Sequence, residues 1–236
     1  MKRQESDRRF MVGWWFVHPI EGYRQTMLRI VCLVTSAGAM ISCQAANGIG
    51  PERGRRLYAA CASCHGPTGS GNKLVGAPAI AGLPAWYVEG QLRNFQSGVR
   101  GTHPDDLEGM RMRPMSKFLV HEQDIPAVAG YVGSLPAAKS SITTDGNSVT
   151  GAASFATCMA CHGATAAGNE ALRAPRLSGL NDWYIVAQLK KFKAGVRGYA
   201  AADIGGLQMR PMAATLDEQA MKDVAAYITT FSAGNP

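Results

Sequence analysis

The sequence predicts an all-α protein built from two tandem helical domains. Three observations predict it. A pentapeptide with two cysteines and a histidine occurs twice, as Cys61-Ala62-Ser63-Cys64-His65 and Cys158-Met159-Ala160-Cys161-His162. The chain around each copy repeats at an offset of 97 residues, without a gap over most of its length. Apolar residues between glycine-rich turns recur at helical spacing and nowhere alternate as in a strand.

The 236 residues suffice for one large domain or two small ones, and 46% hydrophobic with 17% charged residues is a soluble globular composition. A domain of roughly 85 residues buries only a modest core, so a bound cofactor would supply much of it. The formal charge is +7, but residues 1–45 hold six basic and three acidic residues, leaving 18 against 14 elsewhere. No dense basic stripe appears, which argues against a nucleic-acid partner. Lys190, Lys191 and Lys193 are the nearest candidate and read as a solvated helix face.

The chain divides into a leader at 1–45, a first domain at 50–136, a linker at 137–149 and a second domain at 150–236. In the leader, Arg24 and Arg29 precede a dozen mostly apolar residues from Ile30 to Ile41. Ser42-Cys43-Gln44-Ala45-Ala46 then offers small residues for a signal peptidase. This is the pattern of a secretory signal peptide, too short for a transmembrane helix. Met27 as the start would give the leader an ordinary length. Two rival signals are weaker: Ile41-Ser42-Cys43 loosely matches a lipoprotein site, which would tie Cys43 to a membrane, and Arg8-Arg9 hints at a twin-arginine signal.

In the first domain, Arg53 to Cys61 is expected as a helix that delivers the pentapeptide at its end. Pro84 opens a second helix and Gly98 ends it. Asp124 is placed at the start of the last helix, with Val128, Tyr131, Val132 and Leu135 facing inward. The linker is rich in Ala, Ser and Thr and reads as a surface strap. The second domain repeats the pattern, ending in an apolar face of Met221, Val224, Ala225, Ile228 and Phe231.

Two thiols spaced Cys-x-x-Cys can form thioethers to the two vinyl groups of a haem, and the following histidine can reach the iron. Zinc and dithiol chemistry share the spacing, but both pairs carry an immediate histidine and each keeps its own place in its own repeat. Two covalent haem c groups are therefore expected, on Cys61 and Cys64 and on Cys158 and Cys161, with His65 and His162 as axial ligands. An electron carrier wants a second strong axial ligand. Two methionine pairs satisfy the repeat, Met112 with Met209 and Met115 with Met212. Met110 maps to Leu207, His103 to Ala200 and His121 to Glu218, so none serves both halves. The repeat leaves the two methionine pairs equal.

The pentapeptides, the tandem, the Pro-x-x-x-Gly-Leu segments and the methionine loops make the halves resemble class I c-type cytochrome domains and the whole resemble the dihaem cytochrome c4 family. That resemblance implies two all-helical lobes related by a pseudo-twofold axis. It implies a ligand methionine seven residues before the leucine that leads into the C-terminal helix. Counting back from Leu119 and Leu216 gives Met112 and Met209. It implies that the Pro78 and Pro175 carbonyls accept the Nδ1 protons of His65 and His162. Trp86, Tyr87, Trp183 and Tyr184, and Arg100, Arg113, Arg197 and Arg210, become candidate propionate partners. Asp105, Asp106 and His103 read as loop surface. Function then follows as periplasmic electron transfer, from a quinol-oxidising complex or dehydrogenase to a terminal oxidase, with no catalytic residue. The alternatives are a cytochrome subunit of a periplasmic dehydrogenase and a dihaem peroxidase. The peroxidase would need one displaceable ligand, whereas both halves keep the same methionines.

Overall fold

The computed structural model describes residues 50–231, so the expected leader, with Met27 and Cys43, and the last five residues lie outside the described residues. Eight α-helices and no extended strand are present among the described residues. The first half holds α1 (Pro51–His65), α2 (Ala85–Ser97), α3 (Leu107–Lys117) and α4 (Asp124–Ser134). The second holds α5 (Ser148–His162), α6 (Asp182–Lys193), α7 (Ile204–Ala214) and α8 (Glu218–Ile228).

Local chemistry accounts for the helix ends. Pro51 occupies the first turn of α1, where its missing N–H costs nothing. Asn147 caps α5 by accepting from Val149 and Thr150 N–H. Gly98, at φ 80°, closes α2 in the left-handed conformation. Three expectations shift. Helices α1 and α5 run through the pentapeptides to His65 and His162, so the cysteines sit on the last turns and not beyond them. Asp124 does not cap its helix: it is the first helical residue, and its buried carboxylate accepts from His121 N–H and Arg53. The methionine segments are helices α3 and α7, each carrying an internal proline, Pro114 or Pro211, and not loops.

In each half the first and second helices pack on the last, and the third packs on the second. The two halves share core: Leu83 of the first half clusters with Phe155, Leu180, Met221 and Val224 of the second. Cross-half hydrogen bonds join them, from Ala79 N–H to the Asn181 amide oxygen at 2.6 Å and from Arg176 to the Ala81 carbonyl at 3.2 Å.

The linker is held by Asp182, whose counterpart in the first half is Ala85. Fully buried, Asp182 accepts from Thr143 N–H at 2.5 Å, the Thr143 hydroxyl at 2.7 Å and Thr144 N–H at 2.7 Å. Burial alone would raise its pKa, but the Thr143, Thr144 and Trp183 donors outweigh it and hold the carboxyl below its ordinary value. A depressed folded pKa stabilises the fold above the unfolded value of about 3.9 and loses that contribution as pH falls through the folded one. Asp182→Asn is therefore expected to cost about 2 kcal/mol at pH 7. Urea titrations at neutral pH and below about pH 3.5 check this: the gap between wild type and variant should shrink on acidification.

Candidate haem sites

Each pentapeptide closes a helix, so its two cysteines lie one turn apart on a face that looks into a cavity. The cavity of the first half has a volume of about 430 Å³ and that of the second about 450 Å³. Cys61, Cys64 and His65 line the first; Cys158, Cys161 and His162 line the second. Burial pushes the thiols of Cys61 and Cys158 above their ordinary pKa. They are neutral groups in an apolar wall.

The histidines are oriented by backbone. His65 Nδ1–H donates to the Pro78 carbonyl at 2.8 Å, and His162 Nδ1–H to that of Pro175 at the same distance. Burial lowers both imidazole pKa values, and the carbonyl acceptors only partly oppose it. Each ring is thus neutral, with Nδ1 engaged and the Nε2 lone pair left for a metal. A tight turn brings the proline to the ring. Gly71 has φ 84°, and a Cβ there would meet Pro78 C at 2.6 Å, so only glycine fits; Gly168 repeats the arrangement at φ 88° against Pro175 C at 2.7 Å. Burial pushes the Tyr58 phenol up to about 12, and its hydroxyl donates to Gly66 O at 2.7 Å to brace the same turn.

Both members of each methionine pair line their cavity. Met112 and Met209 are half-buried, whereas Met115 and Met212 are 40% and 36% exposed. Met110, His103 and His121 line neither cavity.

The arginines separate. Arg100 and Arg197 line the cavities, each lying over a phenylalanine ring, Phe95 or Phe192, at 4.6 Å. They form a reciprocal knot with two glutamines. Arg100 donates to Gln91 at 2.7 Å and across the halves to Gln188 at 3.1 Å; Arg197 donates to Gln188 at 2.9 Å and across to Gln91 at 3.1 Å. Their buried Nε atoms, with those of Arg113 and Arg176, have no hydrogen-bond partner among the described residues. Arg210 is exposed and lines neither cavity.

The aromatic pairs cross over. Trp86 lines the cavity of the second half and Trp183 that of the first, while Tyr87 and Tyr184 border both. Each cavity is thus completed by the other half. Two residues depart from the sequence reading. Asp106 is not loop surface: at 2% exposure it accepts from Gly109 N–H and caps α3. Lys191 is not on a solvated face, because its ammonium sits 2.6 Å from both Asp106 and Glu108 of the other half. The repeated glutamines carried no assignment, although two polar residues repeating among helical apolar positions are a visible signal.

The chemistry of this donor set suits haem c. Two cysteines at the mouth, a neutral imidazole within and apolar walls match the macrocycle, and buried guanidinium Nε atoms without partners match its two carboxylates. The family profile described as Cytochrome c matches residues 51–136 and 148–232, once in each half.

The chain belongs to the dihaem cytochrome c4 family of tandem c-type cytochromes.

Cytochrome c4 of Azotobacter vinelandii is 28% identical over 185 residues, covering 74% of this chain and 86% of that protein. The structure of cytochrome c4 from Acidithiobacillus ferrooxidans matches with a TM-score of 0.61 and 30% identity, covering 73% of this chain and 99% of that one. A thiosulfate dehydrogenase electron acceptor from Thiomonas intermedia (strain K12) is 33% identical over 150 residues, covering 59% of this chain and 65% of that protein. As in other c-type cytochromes, the haem is held covalently, and this tandem carries two. The chain is a dihaem electron carrier.

Proposed function

We propose that this cytochrome shuttles single electrons in the periplasm, from a quinol-oxidising complex or dehydrogenase to a terminal oxidase. Residues 1–45 would serve as its export leader. Cys61, Cys64, Cys158 and Cys161 would attach the two haems, and His65 with Met112 and His162 with Met209 would supply the ligands to their irons. The observation that carries this reading is the repeated cavity. Each half points a neutral imidazole, tied at Nδ1, into an apolar chamber that also holds a half-buried methionine.

When bound, each haem supplies a reversible one-electron Fe(III)/Fe(II) couple. The rest of the work belongs to the chain. The Pro78 and Pro175 carbonyls keep the rings from turning and enrich donation from Nε2. The thioethers of Met112 and Met209 would favour ferrous iron and leave no exchangeable position for a substrate. The apolar walls exclude water, so little reorganises when charge changes. Arg100 and Arg197 would offset propionate charge through their buried Nε atoms. Their shared glutamines hold both sites in one hydrogen-bonded frame. Among the described residues no helix is long and apolar enough to cross a membrane.

A redox titration of the holoprotein with optical spectra tests this reading. Two one-electron steps are expected, with a near-infrared Met–Fe(III) band whose intensity corresponds to two sites. High-spin ferric haem in half of the sites would overturn it and favour the peroxidase alternative. The similarity to a thiosulfate dehydrogenase electron acceptor supports a second reading, a dedicated dehydrogenase subunit. Stable co-purification with a dehydrogenase would establish it.

A further inference from the structure

The two halves repeat in backbone and ligands but not in charge. The cavity of the first half is bordered by the cations Lys73, Arg100, Arg111 and Lys191 and the carboxylates Asp106 and Glu108. That of the second is bordered by Arg173, Arg197, Glu170 and Asp203. At the 97-residue offset Lys73 becomes Glu170, and Arg111 becomes Gln208.

The buried difference carries more weight, because solvent screens the rim far more than the interior. Asp106 and Asp203 are equivalent, 2% and 6% exposed, and each accepts from a glycine N–H of its own helix, Gly109 or Gly206. Asp106 is paired with Lys191, which crosses from α6 of the other half to 2.6 Å and is shared with the more exposed Glu108 of the rim, whose counterpart is Gly205. The position equivalent to Lys191 is Asn94, which borders the second cavity and carries no charge. Asp203 therefore has no ammonium where Asp106 has one.

Ferric haem carries one more positive charge than ferrous haem. Nearby cations disfavour the ferric state and raise the potential; a carboxylate such as Asp203, which has the Arg197 guanidinium near it but lacks the added lysine, favours it and lowers the potential. Rim and interior act in the same direction. We infer that the haem site of the first half is the higher-potential site, that an electron received by the second half comes to rest on the first, and that Lys191 sets much of this order. The inference rests on the two cavities being the haem sites proposed above. In the internal transfer one electron leaves the ferrous second site, which becomes ferric, and reduces the ferric first site. No bond forms and no proton moves.

The experiment is potentiometry of the holoprotein at low ionic strength, with proton NMR of the half-reduced sample. Each haem is assigned through Overhauser contacts to valines or isoleucine of its own cavity, Val128 and Val132 in the first, Val224 and Ile228 in the second. This assignment does not depend on which methionine binds. The first-half haem should be ferrous at half reduction; finding the second-half haem ferrous first overturns the proposal. Lys191→Gln should reduce the equilibrium constant for transfer between the halves about tenfold, a narrowing of about 59 mV for a one-electron couple. Asn94→Lys should narrow the gap by raising the lower step, and it decides the matter if Lys191→Gln does not fold. A gap unchanged in both variants overturns the role of Lys191. Failure of the site reading looks different: the Overhauser contacts would then place a haem outside its cavity.

Discussion

With Met112 as the proposed ligand, Met112→Ala should remove half of the near-infrared Met–iron band, convert one haem from low to high spin and lower one of the two potentials. Met209→Ala does the same to the other. Axial ligands command a span of about 0.8 V in haem potentials, so losing the thioether should shift the affected step by a sizeable fraction of that span. Met115→Ala and Met212→Ala should leave the band and both potentials nearly intact. Their side chains are 40% and 36% exposed at the cavity margin, and a flexible apolar side chain there covers the cofactor without binding it. Near-infrared spectra and potentiometry of the four variants read the result. Loss of the band on changing Met115 alone would reassign the ligand.

Gly151→Ala and Gly54→Ala should each destabilise the holoprotein by about 3 kcal/mol, the upper part of the usual range for overpacking. These glycines lie where the first helix of a half crosses the last. A Cβ on Gly151 would run into the Asp223 carbonyl and come within 2.9 Å of Tyr227 Cβ. One on Gly54 would run into the Ala127 carbonyl and come within 2.8 Å of Tyr131 Cβ. Both obstacles include backbone, which cannot rotate away, so the helices must separate and the haem-bearing end of α1 or α5 must move with them. In a chain of this size the loss should appear as a fall of roughly 10 °C in Tm. Gly130→Ala is the control. It lies within α4, exposed, with nothing within 4 Å of an added Cβ. It should stabilise by about 0.5–1 kcal/mol through helix propensity. Calorimetry of the three variants would separate the crossing effect from propensity.

Much of the fold was legible because its signals are local. The apolar face of Met221, Val224, Ala225 and Ile228 is buried in α8 as its spacing implies. Gly98 ends α2 as its position implies, whereas the starts set by Pro51 and Asn147 carried no assignment. The misjudged Asp124 shows where local rules stop. A caplike residue before an apolar run has several donors within reach, and here the Arg53 guanidinium, from a helix 71 residues earlier, helps to claim its carboxylate. The methionine segments were read as loops because each contains a proline and little apolar periodicity. They are helical because Asp106 and Asp203 cap their starts.

What the sequence by itself determined is the chemistry of each half: two thiols and an imidazole within five residues, a proline 13 residues beyond the histidine and a methionine further on, all repeated at one offset. Covalent spacing sets those relations, so they survive without knowledge of the packing. Only the tertiary structure decided how the halves complete one another. It sends Trp183 and Lys191 into the first site and Trp86 and Asn94 into the second, and it joins Arg100, Arg197, Gln91 and Gln188 in one buried knot. Those contacts span some 85 to 106 residues, as from Lys191 to Asp106 or Arg197 to Gln91. They arise from the docking of two apolar surfaces, for which periodicity and spacing carry no signal. The same docking makes the sequence repeat unequal, because it brings a lysine beside one buried aspartate and an asparagine to the equivalent place at the other site.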